Sequence, residues 1–246
     1  MFLTDKNIIV LNEVDSTNNY AKQLIADKAG EGTVVLAHYQ NSGKGQQGNF
    51  WESEAGKNLL FSLILYPGFL DAAKQFYISK AVSLALVQVV KKEISDVHIK
   101  WPNDIYVGNK KIGGILIENT IKGSKLDSAI IGIGLNLNQE NFISGAPNPV
   151  SLKQLTGKEY NAKEVLKDFL IRFNDLMGEL QNGFFETIEK NYLAGLFRYN
   201  EWSLFRKDGK EFTARIAGIG EFGQLQLEKR SGDVEAFLFK EVEFVI

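Results

Sequence analysis

The sequence predicts an α+β domain over residues 1–196 followed by a small β-barrel over residues 197–246. Up to residue 196, strand-like apolar segments alternate with segments whose apolar residues recur at helical spacing. From about Phe197 onward, the hydrophobic pattern has a period of two and is interrupted by turn residues. Because a fold of 50 residues is marginal by itself, we expect the second part to dock on the first.

The elements follow from local patterns. Asp15 or Ser16 is a natural N-cap for a first helix, which Gly30 and Gly32 end. Gly108-Asn109 is a hairpin turn signal between two strands. The further predicted helices are 73–93, 162–180 and 184–193. The predicted strands are 7–11, 33–40, 58–66, 97–101, 105–107, 111–119 and 126–137 in the first part, and 211–217, 223–228 and 234–239 in the tail.

Composition excludes several kinds of chemistry. The 246 residues include 28 Lys and Arg against 30 Asp and Glu, and a net charge of −2 argues against general nucleic-acid or polybasic membrane binding. The absence of cysteine excludes disulfides, a cysteine nucleophile and cysteine-rich metal sites. No apolar run reaches the roughly 18 residues of a membrane span, and the N-terminus lacks a signal-peptide pattern. We therefore predict a cytoplasmic protein whose chemistry uses lysines, carboxylates, amides or a bound cofactor.

A glycine loop at residues 43–48 matches G-x-G-x-x-G after a predicted strand. In a dinucleotide-binding fold a helix begins within this motif, but here the residues that follow predict another strand. A Walker A motif also fails, because Lys44 is followed by Gly45 rather than Ser or Thr. What remains is a loop whose N–H groups and lysine can hold an anion, or else a plain surface loop.

Residues 100–104, Lys-Trp-Pro-Asn-Asp, form the second motif. Lys100 ends a predicted strand, and Asn103 and Asp104 can bond the backbone of the turn that follows. A strand-end turn with a surface lysine explains these residues but leaves Trp101 unexplained. Lys111, taken alone, reads as a solvated hairpin lysine.

The third motif, Gly132-x-Gly134 within a strand rich in Ile, removes the side chains from one face. Isolated glycines weaken a strand, so we expect a flat or bulky group against this face. Tight packing between the strand and a helix is the alternative.

Together these segments resemble the biotin protein ligases, the biotin–[acetyl-CoA-carboxylase] ligases. The matching motifs occur in family order over most of residues 10–246. They are Asp-Ser-Thr-Asn at 15–18, the loop from Tyr39 to Trp51, Lys-Trp-Pro-Asn-Asp at 100–104, Lys111 with Gly-Ile-Leu at 114–116, and G-x-G-x-N at 132–136. The resemblance implies a class II synthetase-like mixed sheet packed with helices, the biotin–lipoate ligase catalytic domain, and a C-terminal SH3-like β-barrel.

The resemblance also implies a two-step reaction on biotin and Mg²⁺·ATP. The biotin carboxylate attacks the α-phosphate to give biotinyl-5′-adenylate, and a lysine of a biotin carboxyl carrier domain then attacks the adenylate. Phosphoryl transfer depends mainly on positioning and positive charge, so the lack of Cys and the scarcity of His are compatible with it. Two alternatives stay open: a lipoate–protein ligase-like acyl-adenylate transferase, and a non-catalytic biotin-binding protein.

Site residues are implied by position in the family motifs. The implied catalytic residues are Lys44, Lys100 and Lys111. The implied biotin-binding residues are Ser16, Thr17, Asn18, Gln40, Gly43, Lys44, Lys100, Gly114, Gly132 and Gly134. The implied ATP-binding residues are Lys44, Gly45, Gln46, Gly48, Trp51, Asn103, Lys111 and Asn136. Ligands for Mg²⁺ are not assigned.

The sequence departs from the family pattern at two places. Lys44 and Gln46 stand where the G-R-G-R loop has arginines, which leaves one positive charge instead of two. Since lysine lacks the guanidinium fork, we expect a looser hold on the adenylate unless another cation compensates. Only 14 residues precede Asp15, too few for a helix-turn-helix, so we expect no DNA partner. No membrane partner is expected either, and a homodimer is compatible with the resemblance.

Overall fold

The computed structural model describes residues 7–143 and 148–246. Its larger sheet has seven strands in the order β1-β2-β3-β7-β6-β5-β4. The outer pair β1 and β2 is parallel and every other pair is antiparallel, so the sheet is mixed, as predicted. The strands are β1 Ile8–Val14, β2 Val34–Gln40, β3 Leu59–Leu65, β4 Val97–Lys100, β5 Asp104–Val107, β6 Lys110–Lys122 and β7 Lys125–Leu135.

Among the described residues, five α-helices accompany this sheet: α1 Thr17–Ala26, α2 Phe76–Val90, α3 Leu152–Thr156, α4 Ala162–Gln181 and α5 Phe185–Ala194. Helix α2 is apolar on nearly every side because it lies between the sheet, α4 and α5. Helix α4 is amphipathic and begins at Asn161, whose side chain accepts hydrogen bonds from two first-turn N–H groups. Its buried face reaches strand β3, where the rings of Phe169 and Phe61 meet edge to face.

The C-terminal part is a five-stranded antiparallel sheet in the order β11-β10-β9-β8-β12. The apolar residues on its inner face belong to the same continuous core as the first part. The indole N–H of Trp101 donates to the carbonyl of Gly223, and the Trp101 ring lies 5.3 Å from that of Phe239. Its strands are β8 Ser203–Lys207, β9 Lys210–Ile219, β10 Leu225–Lys229, β11 Val234–Phe237 and β12 Glu243–Phe244.

The structure adds elements that periodicity did not predict. Helix α3 has five residues, too few to display a period, yet Ser151 and Gln154 form a capping box and Gly157 ends it with φ 74°. Strands β8 and β12 were also missed in the tail. In the parts of the chain that the structure describes, no helix combines the length and apolar composition of a bilayer span.

Candidate active site

A cavity of about 230 Å³ opens over one face of the large sheet, where the paired strands β6 and β7 lie beneath the glycine loop and the start of α1. This volume is slightly below the range typical of small-molecule sites. The lining residues are Ser16, Thr17, Asn18, Gln40, Lys44, Gly45, Gln46, Asn49, Phe50, Trp51, Asn103, Asp104, Lys111, Gly114, Ile115, Leu116, Gly132, Ile133, Gly134 and Lys240.

Three glycines form the floor of the cavity. Gly114 and Gly134 are register partners on β6 and β7, so their bare faces are adjacent. A Cβ atom at Gly134 would meet the Trp51 indole at 2.4 Å, and one at Gly114 would meet the same ring at 2.8 Å. At Gly132 a Cβ would come within 2.3 Å of the Asn18 side chain. The flat group expected over this face is therefore the indole of Trp51, which lies on Gly114 and Gly134 and fills part of the cavity, while Asn18 lies on Gly132.

One wall of the cavity is neutral, polar and buried. The side-chain carbonyl of Gln40 accepts from the backbone N–H of Thr17 at 2.7 Å and lies 3.0 Å from the Thr17 hydroxyl. The fully buried Ser62 hydroxyl lies 2.7 Å from Thr17 Oγ1 and 2.6 Å from Asn18 Oδ1. These bonds join the end of β2, the first turn of α1 and the middle of β3.

Asn18 is fixed from two directions. In addition to the contact with Ser62, its amide nitrogen donates to the Glu118 carboxylate at 2.7 Å and to the Leu116 carbonyl at 3.4 Å. Because both donors and the oxygen have partners, the orientation of this side chain is determined by the surrounding sheet.

The glycine loop closes on itself and forms the side of the cavity. Lys44 and Phe50 form an isolated antiparallel bridge, and the N–H of Trp51 donates to the carbonyl of Gly43 at 2.9 Å. A Cβ at Gly43 would meet the Trp51 carbonyl at 2.7 Å, so the loop can close this tightly only with glycine there. The loop contains a short 3₁₀ turn at Gln46–Gly48 and no α-helix begins in it, in agreement with the exclusion of a dinucleotide-binding turn.

The ammonium group of Lys44 is tied back to helix α1. It donates to the side-chain oxygen of Asn19, whose amide group donates in turn to Asp15. The hydrogen bond from Asn19 is the main reason why the pKa of Asp15 is lowered. The exposed loop cation is thus held above the cavity by a chain of polar contacts.

Lys111 supplies a second cation from β6. Its Nζ lies 2.6 Å from a carboxylate oxygen of Asp104 and 5.6 Å from the centre of the Trp51 ring. The side chain keeps 22% of its surface accessible, so a bound anion can reach it. Asn103 is fixed in the turn near Asp104: its side-chain nitrogen donates to the Ile115 carbonyl at 2.7 Å, and its backbone carbonyl accepts from the Ile115 N–H at 2.9 Å.

Lys100 lies outside the lining of the cavity. Its Nζ is 3.4 Å from the hydroxyl of Tyr106 and 5.5 Å from the centre of the Phe244 ring in the tail. Burial lowers the pKa of Lys100, and the nearby charges of Asp104 and Lys111 act on it in opposite directions. This ammonium group therefore lies outside the lining of the cavity, close to Asp104 and Lys111, whereas Lys44 and Lys111 belong to the lining.

Three other residues implied by the motifs also lie outside the lining. Gly43 and Gly48 shape the loop, and Gly48 has φ 84° at the end of the 3₁₀ turn. Asn136 is buried and donates to the Val150 carbonyl at 3.1 Å, while its side-chain oxygen has no hydrogen-bond partner. Asn136 therefore anchors the segment that enters α3 and leaves a free acceptor beneath it.

Several residues of the site could not be found from the motifs. Asn19 and Ser62 position Lys44 and Thr17 from other elements, and Lys240 reaches the cavity from the distant tail. Within residues 7–143 and 148–246, no group of three or more His, Cys, Asp or Glu side chains is arranged to hold a metal ion.

Comparisons with known proteins agree with this arrangement. Residues 10–136 match the sequence profile of the Biotin/lipoate A/B protein ligase family. The Biotin--[acetyl-CoA-carboxylase] ligase of Paracoccus denitrificans is 30% identical over 229 residues, which cover 91% of this chain and 95% of that protein. The Bifunctional ligase/repressor BirA of Bacillus subtilis (strain 168) is 29% identical over 231 residues, which cover 92% of this chain and 71% of that protein.

A solved structure gives the same result for the fold. The biotin protein ligase from Aquifex aeolicus, in complex with biotin and ATP, aligns with a TM-score of 0.81 and 27% identity over 98% of this chain and 100% of that one. The chain belongs to the biotin/lipoate A/B protein ligase family. Within that family it is similar to the biotin protein ligases over nearly all of its length, and the resemblance seen in the motifs is confirmed.

Proposed function

We propose that this chain activates biotin as biotinyl-5′-adenylate at the cavity and transfers it to a lysine of a biotin carboxyl carrier domain. The proposal depends on the two chemically different walls that stand over the glycine floor of the cavity. One is the neutral wall described above, and the other, the cationic wall, is formed by the lining residues Lys44, Lys111 and Lys240. The neutral wall suits a buried, uncharged polar ring, and the cationic wall suits a carboxylate joined to a phosphate. Biotinyl-adenylate has these two ends in one molecule.

The neutral wall would hold the ureido ring of biotin. A cyclic urea offers two N–H donors and one carbonyl acceptor, and each must find a partner when it is buried. Ser16, Thr17, Asn18 and Gln40 supply hydroxyl and amide groups for this purpose and are at most 8% exposed. Gly132 lets Asn18 lie close to the sheet, and Gly114 and Gly134 would give the bicyclic ring room on the sheet once the Trp51 indole moves off them.

The cationic wall would act in both chemical steps. In the first, a biotin carboxylate oxygen bonds to the α-phosphorus of ATP while the bond to the β-phosphate oxygen breaks and pyrophosphate leaves. In the second, the neutral carrier amine bonds to the acyl carbon, the bond to the phosphate oxygen breaks and AMP leaves, with loss of the amine proton. Lys111 and Lys44 would stabilise the negative charge on the phosphoryl oxygens in both steps.

Trp51 would change its contact when the nucleotide binds. Its indole now lies on Gly114 and Gly134, and its N–H is buried without a partner. We assign this ring to the adenine side of the site, where it can stack on the base once the loop closes around the ligand. Asn103, Asn136 and the glycine loop would frame the nucleotide, and Gly45, Gln46 and Gly48 would let the loop approach the phosphates.

Mg²⁺ would enter as part of the substrate. This ion is usually held by one or two carboxylates together with phosphate oxygens and water, so a triphosphate can bring it without a protein cage.

Lys100, which the motif assigns to the phosphate, would act on it from its position near Asp104 and Lys111. The division of the chain at residue 196 into catalytic and β-barrel domains remains our proposal.

The deciding experiment is a biotin-transfer assay with the full chain, ATP, Mg²⁺ and a purified carrier domain. We expect ATP-dependent biotinylation of one carrier lysine, with pyrophosphate release that requires biotin. A non-catalytic biotin-binding protein would bind biotin and leave the carrier unmodified.

Lipoate provides the specificity control. Its dithiolane ring lacks the urea donors and acceptor, so lipoate would leave the buried groups of the neutral wall unpaired. We expect calorimetric titration to show binding of biotin and at least 100-fold weaker binding of lipoate. Equal affinities would assign the site to the lipoate branch of the family.

A further inference from the structure

We propose that Lys240 of the C-terminal sheet supplies the phosphate-binding charge that the glycine loop lacks at Gln46. This inference rests on the proposed function, because it concerns the same adenylate site. Gln46 and Lys240 line the same cavity, although they are almost 200 residues apart in the sequence. Lys44, Lys111 and Lys240 are the three cationic side chains among the described residues that line it.

The turn that carries Lys240 is fixed against the catalytic sheet. Its preceding residue, Phe239, packs its ring 5.3 Å from Trp101 and 6.3 Å from Phe76. The turn is closed by a hydrogen bond of 3.1 Å from the Glu241 N–H to the Leu238 carbonyl, and the Leu238 N–H donates back to the Glu241 carboxylate at 2.7 Å. The packing of Phe239 therefore determines which part of the molecule the Lys240 side chain can reach.

Lys240 itself occupies the left-handed backbone region, with φ 71°. A lysine there is uncommon and carries a local conformational cost. The geometry directs its long side chain across the junction of the two sheets to the mouth of the cavity. Since Asp104 already neutralises Lys111 in part, a further cation at the mouth adds attraction for a phosphate where the loop provides only Lys44.

Charge and backbone effects can be separated by the choice of variant. Lys240→Asn removes the charge while Asn tolerates the left-handed region, and Lys240→Arg keeps the charge. Lys210→Asn, at an exposed position on β9 of the same sheet, is the matched control. Each variant is assayed in the full chain for the KM of ATP, the KM of biotin and the rate at which biotinyl-adenylate is released.

We expect Lys240→Asn to raise the KM of ATP and the adenylate release rate by about three- to tenfold, with the KM of biotin unchanged. The effect should shrink at high ionic strength because the lysine is exposed. Adding Gln46→Arg to Lys240→Asn should restore most of the loss, whereas Lys240→Arg and Lys210→Asn should resemble the wild type.

Wild-type values for Lys240→Asn in an active chain would overturn this inference and leave the proposed function intact. The inference would also be overturned if Lys240→Asn binds ATP more weakly, Gln46→Arg does not restore the binding, and the weaker binding accompanies a lower melting temperature of the variant. If the wild-type chain forms no biotinyl-adenylate at all, the proposed function fails and this inference fails with it.

Discussion

The two walls of the cavity are built in different ways. The neutral wall consists of buried residues at the end of β2 and the start of α1, bonded to one another and to Ser62. The cationic wall consists of partly exposed lysines on the glycine loop, on strand β6 and on a turn of the tail. In the site that we propose, the groups that would bind the biotin ring are therefore held in place by regular structure, whereas the positive charges for the phosphate are on longer and more adaptable side chains.

The largest effect is expected from removing Lys111 from the cationic wall. Lys111→Ala removes a charge beside the position that we propose for the reacting phosphate, and it leaves Asp104 without its ion-pair partner. We expect the rate of biotin-dependent pyrophosphate release to fall by about 10²- to 10³-fold. Lys110→Ala, at the exposed neighbouring position, is the control and should keep its rate. A fall below tenfold in Lys111→Ala would remove this residue from the chemical step.

A smaller effect is expected from breaking the neutral wall. Gln40→Leu deprives the Thr17 N–H and hydroxyl of their common acceptor. We expect the KM of biotin to rise by about ten- to 100-fold while the KM of ATP stays within twofold, because one buried polar group loses its partner. Asn41→Ala, on the next and exposed residue, controls for disturbance of the strand end. Equal changes in both KM values would contradict the separation of the two walls.

A variant in the glycine floor tests whether the Trp51 indole belongs to the nucleotide side of the cavity. Gly134→Ala places a methyl group where the Trp51 indole lies, at 2.4 Å in the present geometry. The ring must shift, and we expect about tenfold weaker ATP binding, measured by calorimetry, with the fold retained. Gly30→Ala is a suitable control because a Cβ there meets no atom within 4 Å. Unchanged ATP affinity in Gly134→Ala would show that the indole position is unrelated to the nucleotide.

The smallest expected effect is on stability, at Lys100, whose ammonium group is partly buried in the folded chain. Burial lowers its pKa from the usual 10.5, so the folded chain binds fewer protons than the unfolded chain between the two pKa values. The cost of burying the charge is fully present below the folded pKa and disappears as the pH rises past 10.5. Lys100→Met should therefore increase the free energy of unfolding at neutral pH, with an advantage that shrinks in alkali.

Denaturant unfolding at several pH values measures this dependence, with the exposed Lys91→Met as the control. The same variant tests the catalytic role that the motif implies for Lys100. A loss of pyrophosphate release as large as that of Lys111→Ala would support that role, and release at the wild-type rate would contradict it.

Much of this site could be predicted from short stretches of sequence, because the residues that form it belong to a few short motifs. Gly132 and Gly134 leave one face of a strand bare, and a flat group, the Trp51 indole, does lie on Gly134, while Gly132 is covered by Asn18. The family motifs led to Lys44 and Lys111, both of which line the cavity. The strands of the large sheet also follow from short apolar runs bounded by turn residues, whereas its mixed topology was implied by the family resemblance.

Other features depend on distant contacts that no local pattern encodes. The side chain of Lys100 points toward Tyr106 and Phe244 because the tail packs there. Ser62 looks like any small residue in a buried strand until the fold brings it to Thr17. Lys240 lies in a turn with no motif, and its approach to the cavity follows from the seating of Phe239.

The bond between Trp101 and the tail has a consequence for engineering. A chain shortened at residue 196 would lose the Gly223 carbonyl and the Phe239 ring that cover this indole, together with the loop that covers Phe76. The uncovered aromatic surface would adjoin the turn that holds Asn103 and Asp104. Exposed aromatic surface favours self-association, so we expect such a fragment to associate at the mouth of its own active site. A minimal enzyme should therefore be made by shortening loops and keeping the tail.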